Sequence, residues 1–293
     1  MATVAEWVQG ARPRTLPTAI SPVLIGTGAA IGGGVISPGR AVLALIVAIA
    51  LVVGVNFAND YSDGIRGTDD VRVGPMRLVG SKVATPKTVR GAALACFSVA
   101  GLAGLTLVSL SRQWWLIAVG VVCVLGAWFY TGGKRPYGYA GLGEVAVFLF
   151  FGPVAVLGTA ITQSGLPGAP AVVSAIGCGL LTSAVLVANN LRDIPTDTDV
   201  GKRTLAVVLG DRDTRRLYAA LVLLPFLLSA GGAVRSWPML FGLLALPLGI
   251  ALARQVLGGA DGRSLIRVLG QTGLLLLIWS TTTAVGLALG FLG

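Results

Sequence analysis

The sequence predicts an all-α, polytopic membrane protein with nine transmembrane helices, its N-terminus cytoplasmic and its C-terminus outside. Three observations carry this. Of the 293 residues, 55% are hydrophobic and only 12% charged, with a mean hydropathy of +0.84, whereas soluble domains carry about 25% charged residues. The apolar residues gather into nine stretches of roughly the 20 residues that a ~30 Å hydrocarbon core requires. Lys and Arg then fall almost wholly on one side of those stretches.

Span one, about 16–36, begins too late and lacks an Ala-x-Ala cleavage site, so it is an uncleaved first helix and not a removed signal peptide. Span two, 40–60, runs into Asn56-Phe57-Ala58-Asn59-Asp60-Tyr61-Ser62-Asp63. Span three covers 88–110. Span four, 114–131, carries Trp114, Trp115 and Trp128 near its ends, where interfacial aromatics collect, and leads to Lys134 and Arg135. Span five is 140–162. Span six, 169–190, ends in Asn189-Asn190-Leu191-Arg192-Asp193-Ile194-Pro195-Thr196-Asp197. Spans seven, eight and nine follow at 217–234, 237–257 and 268–291. No polar stretch is long enough for a second, soluble domain, so residues 1–293 read as one unit.

The charges orient this chain. Arg12, Arg14, Arg66, Arg72, Arg77, Lys82, Lys87, Arg90, Lys134, Arg135, Arg192, Lys202, Arg203, Arg212, Arg215, Arg216, Arg254, Arg263 and Arg267 share one side, against Arg40, Arg112 and Arg235 on the other. The positive-inside rule makes the rich side cytoplasmic. All twelve acids lie there too, although acids contribute little to topology. Something that uses carboxylates therefore works at that face. The net charge of +10 is interrupted by apolar segments, so no nucleic-acid partner is expected. The absence of histidine excludes His-based triads and imidazole metal sites. Cys96, Cys123 and Cys178 are scattered through apolar stretches, and clustered ligands are what a zinc site needs.

The acids form two clusters. If the helices continue through them, Asp60 and Asp63 share a face, as do Asp193 and Asp197, although Pro195 is expected to break or kink the second helix. These helix ends are expected to be wet. Neighbouring carboxylates repel unless a cation intervenes, and Mg²⁺ is usually held by one or two carboxylates plus substrate phosphates. Two facing clusters would hold two Mg²⁺ ions with a diphosphate between them. Asn56, Asn59, Asn189 and Asn190 extend the oxygen-rich face one turn into the membrane, where a polar group needs a partner. A solvated helix exit explains one such cluster more easily than two. Candidates for the diphosphate's charge are Lys202, Arg203, Arg66, Arg77, Lys134 and Arg135.

Asn59-Asp60-x-x-Asp63 and Asp193-x-x-x-Asp197, at the ends of spans two and six, resemble the UbiA superfamily of intramembrane prenyltransferases over essentially the whole chain. Residues 59–63 with Gly67 and Asp69, Gly74-Pro75-Met76-Arg77, and residues 189–193 with 201–205 are most similar to the branch that prenylates 1,4-dihydroxy-2-naphthoate in menaquinone biosynthesis. The resemblance implies nine helices around a central cavity in the cell membrane, with the site facing the cytoplasm. It implies that Asp60, Asp63, Asp193 and Asp197 hold Mg²⁺, and that Asn56, Asn59, Tyr130, Lys134, Arg135 and Lys202 help hold a polyprenyl diphosphate. Arg77 and Arg192 are candidates for the carboxylate of the aromatic acid, since a guanidinium binds carboxylate in a bidentate fashion. Other branches, acting on 4-hydroxybenzoate or homogentisate, share the aspartates. A transporter would spread polar groups across the bilayer depth, and here the acids avoid the outer face. A CDP-alcohol phosphatidyltransferase would need Asp-Gly-x-x-Ala-Arg, which Asp63-Gly64-Ile65-Arg66-Gly67 does not match.

Overall fold

The computed structural model describes residues 2–67, 76–234 and 236–290, and every regular element among them is helical. A short helix α1 (Val4–Ala11) precedes the first span; Thr3 and Glu6 close a capping box on it. It ends where Arg12 turns left-handed (φ 56°) and Pro13 starts a 3₁₀ turn into α2 (Leu16–Gly32). Then follow α3 (Pro38–Arg66), α4 (Pro86–Ser111), α5 (Leu116–Phe129), α6 (Gly143–Ser164), α7 (Ala169–Asp199), α8 (Leu205–Gly232), α9 (Trp237–Leu257) and α10 (Gly262–Leu289). With Val4–Gly32 taken as one segment, eight are long and apolar enough to cross a membrane. The chain is a multi-pass membrane protein.

The ninth, α5, has 14 residues. At 1.5 Å per residue it reaches about 21 Å, short of a ~30 Å core. It is shorter than the 114–131 stretch because Tyr130 and Thr131 leave the helix to enter the site, and it contains no fully buried residue.

Two prolines are absorbed in different ways. Around Pro153, α6 widens into a π-helix over Phe150–Leu157, which accommodates a residue that has no N–H to give. The break expected at Pro195 does not occur, and α7 continues to Asp199. The hydroxyls of Thr196 and Thr198 donate to Asp193 O and Ile194 O at 3.1 and 2.7 Å, adding side-chain hydrogen bonds to the last turns. Gly210 (φ 76°, ψ 173°) interrupts α8 near its start, a conformation closed to other residues at little cost.

From α2 on, most helices pack against their neighbours in sequence, α7 also packs on α10, and α10 closes on α2. That closure depends on glycine. A Cβ on Gly28 would sit 2.4 Å from Ala284 O, and one on Gly32 would sit 2.2 Å from Leu287 O. The main core lies where α7, α8 and α10 meet, around Tyr218, Leu275, Leu276 and Trp279. On the other side, α2 to α7 wall a cavity of about 1160 Å³, with α10 contributing Ile266 and Leu269.

Candidate active site

The overrun of α3 and α7 past their apolar stretches builds the site. Because both remain helical, Asp60 and Asp63 project from one face of α3, and Asp193 and Asp197 from one face of α7. The expectation of wet helix ends fails for three of them. Asp60, Asp63 and Asp193 are 1, 3 and 5% exposed, and only Asp197 is half-buried. Buried carboxylates need partners, and each has them. Asp60 accepts backbone N–H bonds from Leu78 (2.7 Å) and Val79 (3.0 Å), which pins the 76–80 segment to α3. Arg77, carried on that segment, reaches Asp63 at 3.5 Å. Asp193 is bound in a fork by Arg192, at 2.7 and 2.8 Å, and receives Asn189 Nδ2 at 3.3 Å.

The two motifs meet at a residue that sequence reasoning passed over. Tyr139 donates its hydroxyl to Asp63. Lys202 Nζ lies 4.7 Å and the Arg66 guanidinium 5.6 Å from its ring centre. Lys202 also reaches Asp197 at 3.9 Å, and Arg203 N donates to Tyr139 O at 3.0 Å. One tyrosine thus ties the end of α3 to the end of α7. The signal available was only position: Tyr137-Gly138-Tyr139 follows the basic pair after Pro136.

The asparagines divide. Asn59 accepts from Thr131 Oγ1 at 2.8 Å, and Asn56 donates to Ala11 O and Thr15 Oγ1, both at 3.0 Å. Asn56, Asn59 and Asn189 line the cavity. Asn190 is instead turned onto Glu144, donating to Oε1 at 2.9 Å. Arg66 donates to the Thr131 and Gly133 carbonyls, holding the 131–133 turn. Lys134, Arg135 and the Arg203 side chain are exposed on the same end of the bundle. Asp69 lies outside the described residues.

The cavity mouth is basic and its depth apolar. Arg12, Arg14, Arg77 and Arg192 line it beside Asn56, Asn59, Asn189 and Tyr130, and below them it runs between residues such as Val52, Leu107, Val124, Phe150 and Val154. Burial and then the Glu144 carboxylate push the Tyr130 hydroxyl well above its ordinary value, and burial raises Tyr137 to about 12. Both therefore stay protonated as hydrogen-bond donors. The donor set at the two motifs is all oxygen, which suits a hard divalent ion completed by ligand phosphates. Among the described residues no three carboxylates converge on one point. The shape is that of a site for an amphipathic anion, with a phosphate-bearing head at the mouth and an apolar body below.

Fold and site together define a multi-pass membrane bundle with a deep apolar cavity and a basic, carboxylate-bearing mouth at one end. Residues 19–281 match the UbiA prenyltransferase family, and the chain belongs to it. It is 55% identical over 290 residues to a 1,4-dihydroxy-2-naphthoate octaprenyltransferase of Mycobacterium tuberculosis, covering 99% of each chain. It is 36% identical over 275 residues to the protein of that name from Escherichia coli, covering 91% of this chain and 89% of that one. Among solved structures, a UbiA homolog from Aeropyrum pernix K1 superposes with a TM-score of 0.71 at 14% identity, over 90% of this chain and 96% of that one. A UbiA homolog from Archaeoglobus fulgidus, bound to GPP and Mg²⁺, superposes with a TM-score of 0.64 at 13% identity, over 95% and 99%.

Proposed function

We propose that the protein transfers a polyprenyl group from polyprenyl diphosphate to 1,4-dihydroxy-2-naphthoate, releasing diphosphate and CO₂ and giving demethylmenaquinone. The observation that carries this reading is 55% identity, end to end, to a relative named for that reaction, in a chain that retains both aspartate motifs. The bundle acts as a single unit over residues 1–293. Its motif end faces the cytoplasm across the cell membrane, because that end carries nearly all the Lys and Arg.

Asp63, Asp193 and Asp197, with the remaining lone pairs of Asp60, would hold two Mg²⁺ ions. Bound there, Mg²⁺ supplies electrostatic stabilisation of the departing diphosphate. The chain's own residues do the rest. Lys202, Asn59, Lys134, Arg135 and Arg203 gather positive charge and donors at the mouth, where charge develops as the allylic C–O bond breaks, while Arg66 holds the 131–133 turn that carries the basic pair; preorganised donors of this kind are usually the largest catalytic contribution. The apolar walls keep water from the allylic cation and hold the tail. Arg77 and Arg192 place the carboxylate of the aromatic acid, so that its electron-rich ring carbon faces the cation. Loss of that carboxylate as CO₂ restores aromaticity, so no base is needed at the carbon attacked.

The test is reconstituted protein supplied with polyprenyl diphosphate, Mg²⁺ and carboxyl-labelled dihydroxynaphthoate. Labelled CO₂ and a prenylated quinol should appear in equal amounts, with no product from 4-hydroxybenzoate or homogentisate. Prenylation of either alternative in preference to dihydroxynaphthoate refutes the acceptor assignment.

A further inference from the structure

Tyr139 belongs to neither aspartate motif, yet its backbone is tied to both sides of the site. It closes a 3₁₀ turn, Tyr137–Tyr139, through Tyr139 N to Pro136 O and Ala140 N to Tyr137 O, both at 3.1 Å. Its carbonyl takes Arg203 N at 3.0 Å. The segment that supplies this bond is held in turn by a Schellman motif at the end of α7. Gly201 is left-handed there (φ 72°), Gly201 N donates to Thr198 O at 3.1 Å, and Lys202 N donates to Asp197 O at 2.8 Å. The backbones of Tyr139 and Lys202 are therefore fixed relative to each other before either side chain is placed. The side chain of Tyr139 then makes two different contacts. Its hydroxyl donates to Asp63 Oδ1, while Arg77 stands 3.5 Å from Oδ2. A carboxylate has about four lone-pair sites, so a donor at each oxygen fixes its orientation and still leaves lone pairs for a metal ion. Over the face of the ring lies Lys202 Nζ, 4.7 Å from the centre and 3.9 Å from Asp197. Arg66 stands on the same ring at 5.6 Å, but its guanidinium is spent on the carbonyls of Thr131 and Gly133.

We propose that Tyr139 is a positioning residue with two jobs: its hydroxyl aims Asp63 at the metal, and its ring keeps Lys202 at the mouth for the diphosphate once the metal engages Asp197. This rests on the proposed function. The two holders of Lys202 differ in what becomes of them as the site fills. When Asp197 binds Mg²⁺, its charge is countered, and the ion repels a neighbouring ammonium. The carboxylate then no longer holds the lysine. The aromatic face offers the ion no lone pair, so its attraction for the ammonium persists. Tyr139 thus acts through Asp63 on one motif and through Lys202 on the other.

Two substitutions separate the jobs: Tyr139→Phe removes the hydroxyl and keeps the ring, and Tyr139→Leu removes both. The readouts are the Kd of Mn²⁺ alone, followed by its EPR signal, and the Kd of labelled prenyl diphosphate at saturating Mg²⁺. Neither needs the aromatic acceptor. In Tyr139→Phe, Mn²⁺ should bind about 10–100-fold more weakly, the scale of losing a group that orients a metal ligand, while prenyl diphosphate binds as to the wild type. In Tyr139→Leu, Mn²⁺ should weaken to the same extent, and prenyl diphosphate should bind about tenfold more weakly as well, as for the loss of one partly buried cation–π contact. In a Lys202→Met background, Tyr139→Leu should add nothing to the loss for prenyl diphosphate, because the ring acts through that lysine. Undiminished Mn²⁺ binding in Tyr139→Phe, or an equal loss of both ligands in that variant, overturns the role of the hydroxyl. Prenyl diphosphate bound as well by Tyr139→Leu as by Tyr139→Phe, or a further loss in the Lys202→Met background, overturns the role of the ring. Failure of the proposed function shows separately, as a wild-type protein that leaves dihydroxynaphthoate unprenylated.

Discussion

Asp60→Asn separates two jobs that the motif makes look like one. The carboxylate is 1% exposed and holds the N–H groups of Leu78 and Val79 at 2.7 and 3.0 Å. An asparagine there keeps one carbonyl acceptor and turns an NH₂ donor against the second N–H. Hydrogen bonds to charged groups contribute about 1.5–3 kcal/mol each, and a buried N–H left unpaired costs about 1–3 kcal/mol. Losing one bond outright and the charge from the other therefore loosens the 76–80 segment by about 2–4 kcal/mol. At about 2 kcal/mol, the open form of that segment becomes roughly thirtyfold more populated. The assay is amide hydrogen exchange in detergent or nanodiscs. Leu78 and Val79 should exchange at least that much faster in Asp60→Asn, whereas Asp197→Asn should leave them unchanged. Because the segment carries Arg77, turnover should fall at least about tenfold as well, about 1.4 kcal/mol in the barrier. If Leu78 and Val79 exchange no faster in Asp60→Asn than in the wild type, Asp60 does not hold this segment and the reasoning fails.

Three further outcomes follow from the same geometry. Asp193→Asn and Asp197→Asn should each leave less than about a tenth of wild-type turnover, a loss above about 1.4 kcal/mol, with near-normal membrane insertion; activity above that level would remove the residue from the metal-binding set. Arg77→Lys should raise the KM for the aromatic acid severalfold and leave that for prenyl diphosphate nearly unchanged, since a lysine cannot reproduce a bidentate carboxylate contact; a rise for the diphosphate alone would move Arg77 to the diphosphate. In a background without Cys96, Cys123 and Cys178, a cysteine at 236 should label from outside intact cells and one at 200 should not, and the reverse pattern would invert the orientation.

The helical class and the clustering of the acids were legible because both rest on strong one-dimensional signals. A charge is too costly within the bilayer to appear by accident, so the apolar stretches and the places where acids cluster could be read directly. Helix ends were less legible. The i,i+3 and i,i+4 pairing of the aspartates required α3 and α7 to outrun their apolar stretches, and Pro195 argued against the second. Yet α7 runs through Pro195 to Asp199, with two threonine hydroxyls bonded into its last turns that a hydrophobic pattern does not register. The π-helical turn around Pro153 and the short reach of α5 are likewise decided by what the chain does at its neighbours, not by composition.

The partners of each polar side chain could not be read at all, and those partners determine what the residues do. Asn189 and Asn190 are adjacent and identical in type, yet a 100° turn of helix sends one to the cavity and the other to Glu144, 46 residues away. Arg66 and Arg77 both looked like ligands for phosphate. One is spent on the carbonyls of the 131–133 turn, while the other pairs with Asp63 and lines the cavity. Tyr139 and Glu144 carried no motif of their own and emerge only because the α5–α6 connection and the first turn of α6 meet the ends of α3 and α7. Burying a carboxylate is costly unless it is partnered, so an isolated acid in the first turn of a spanning helix, such as Glu144, is the kind of residue whose partner repays a search before its role is taken as topology.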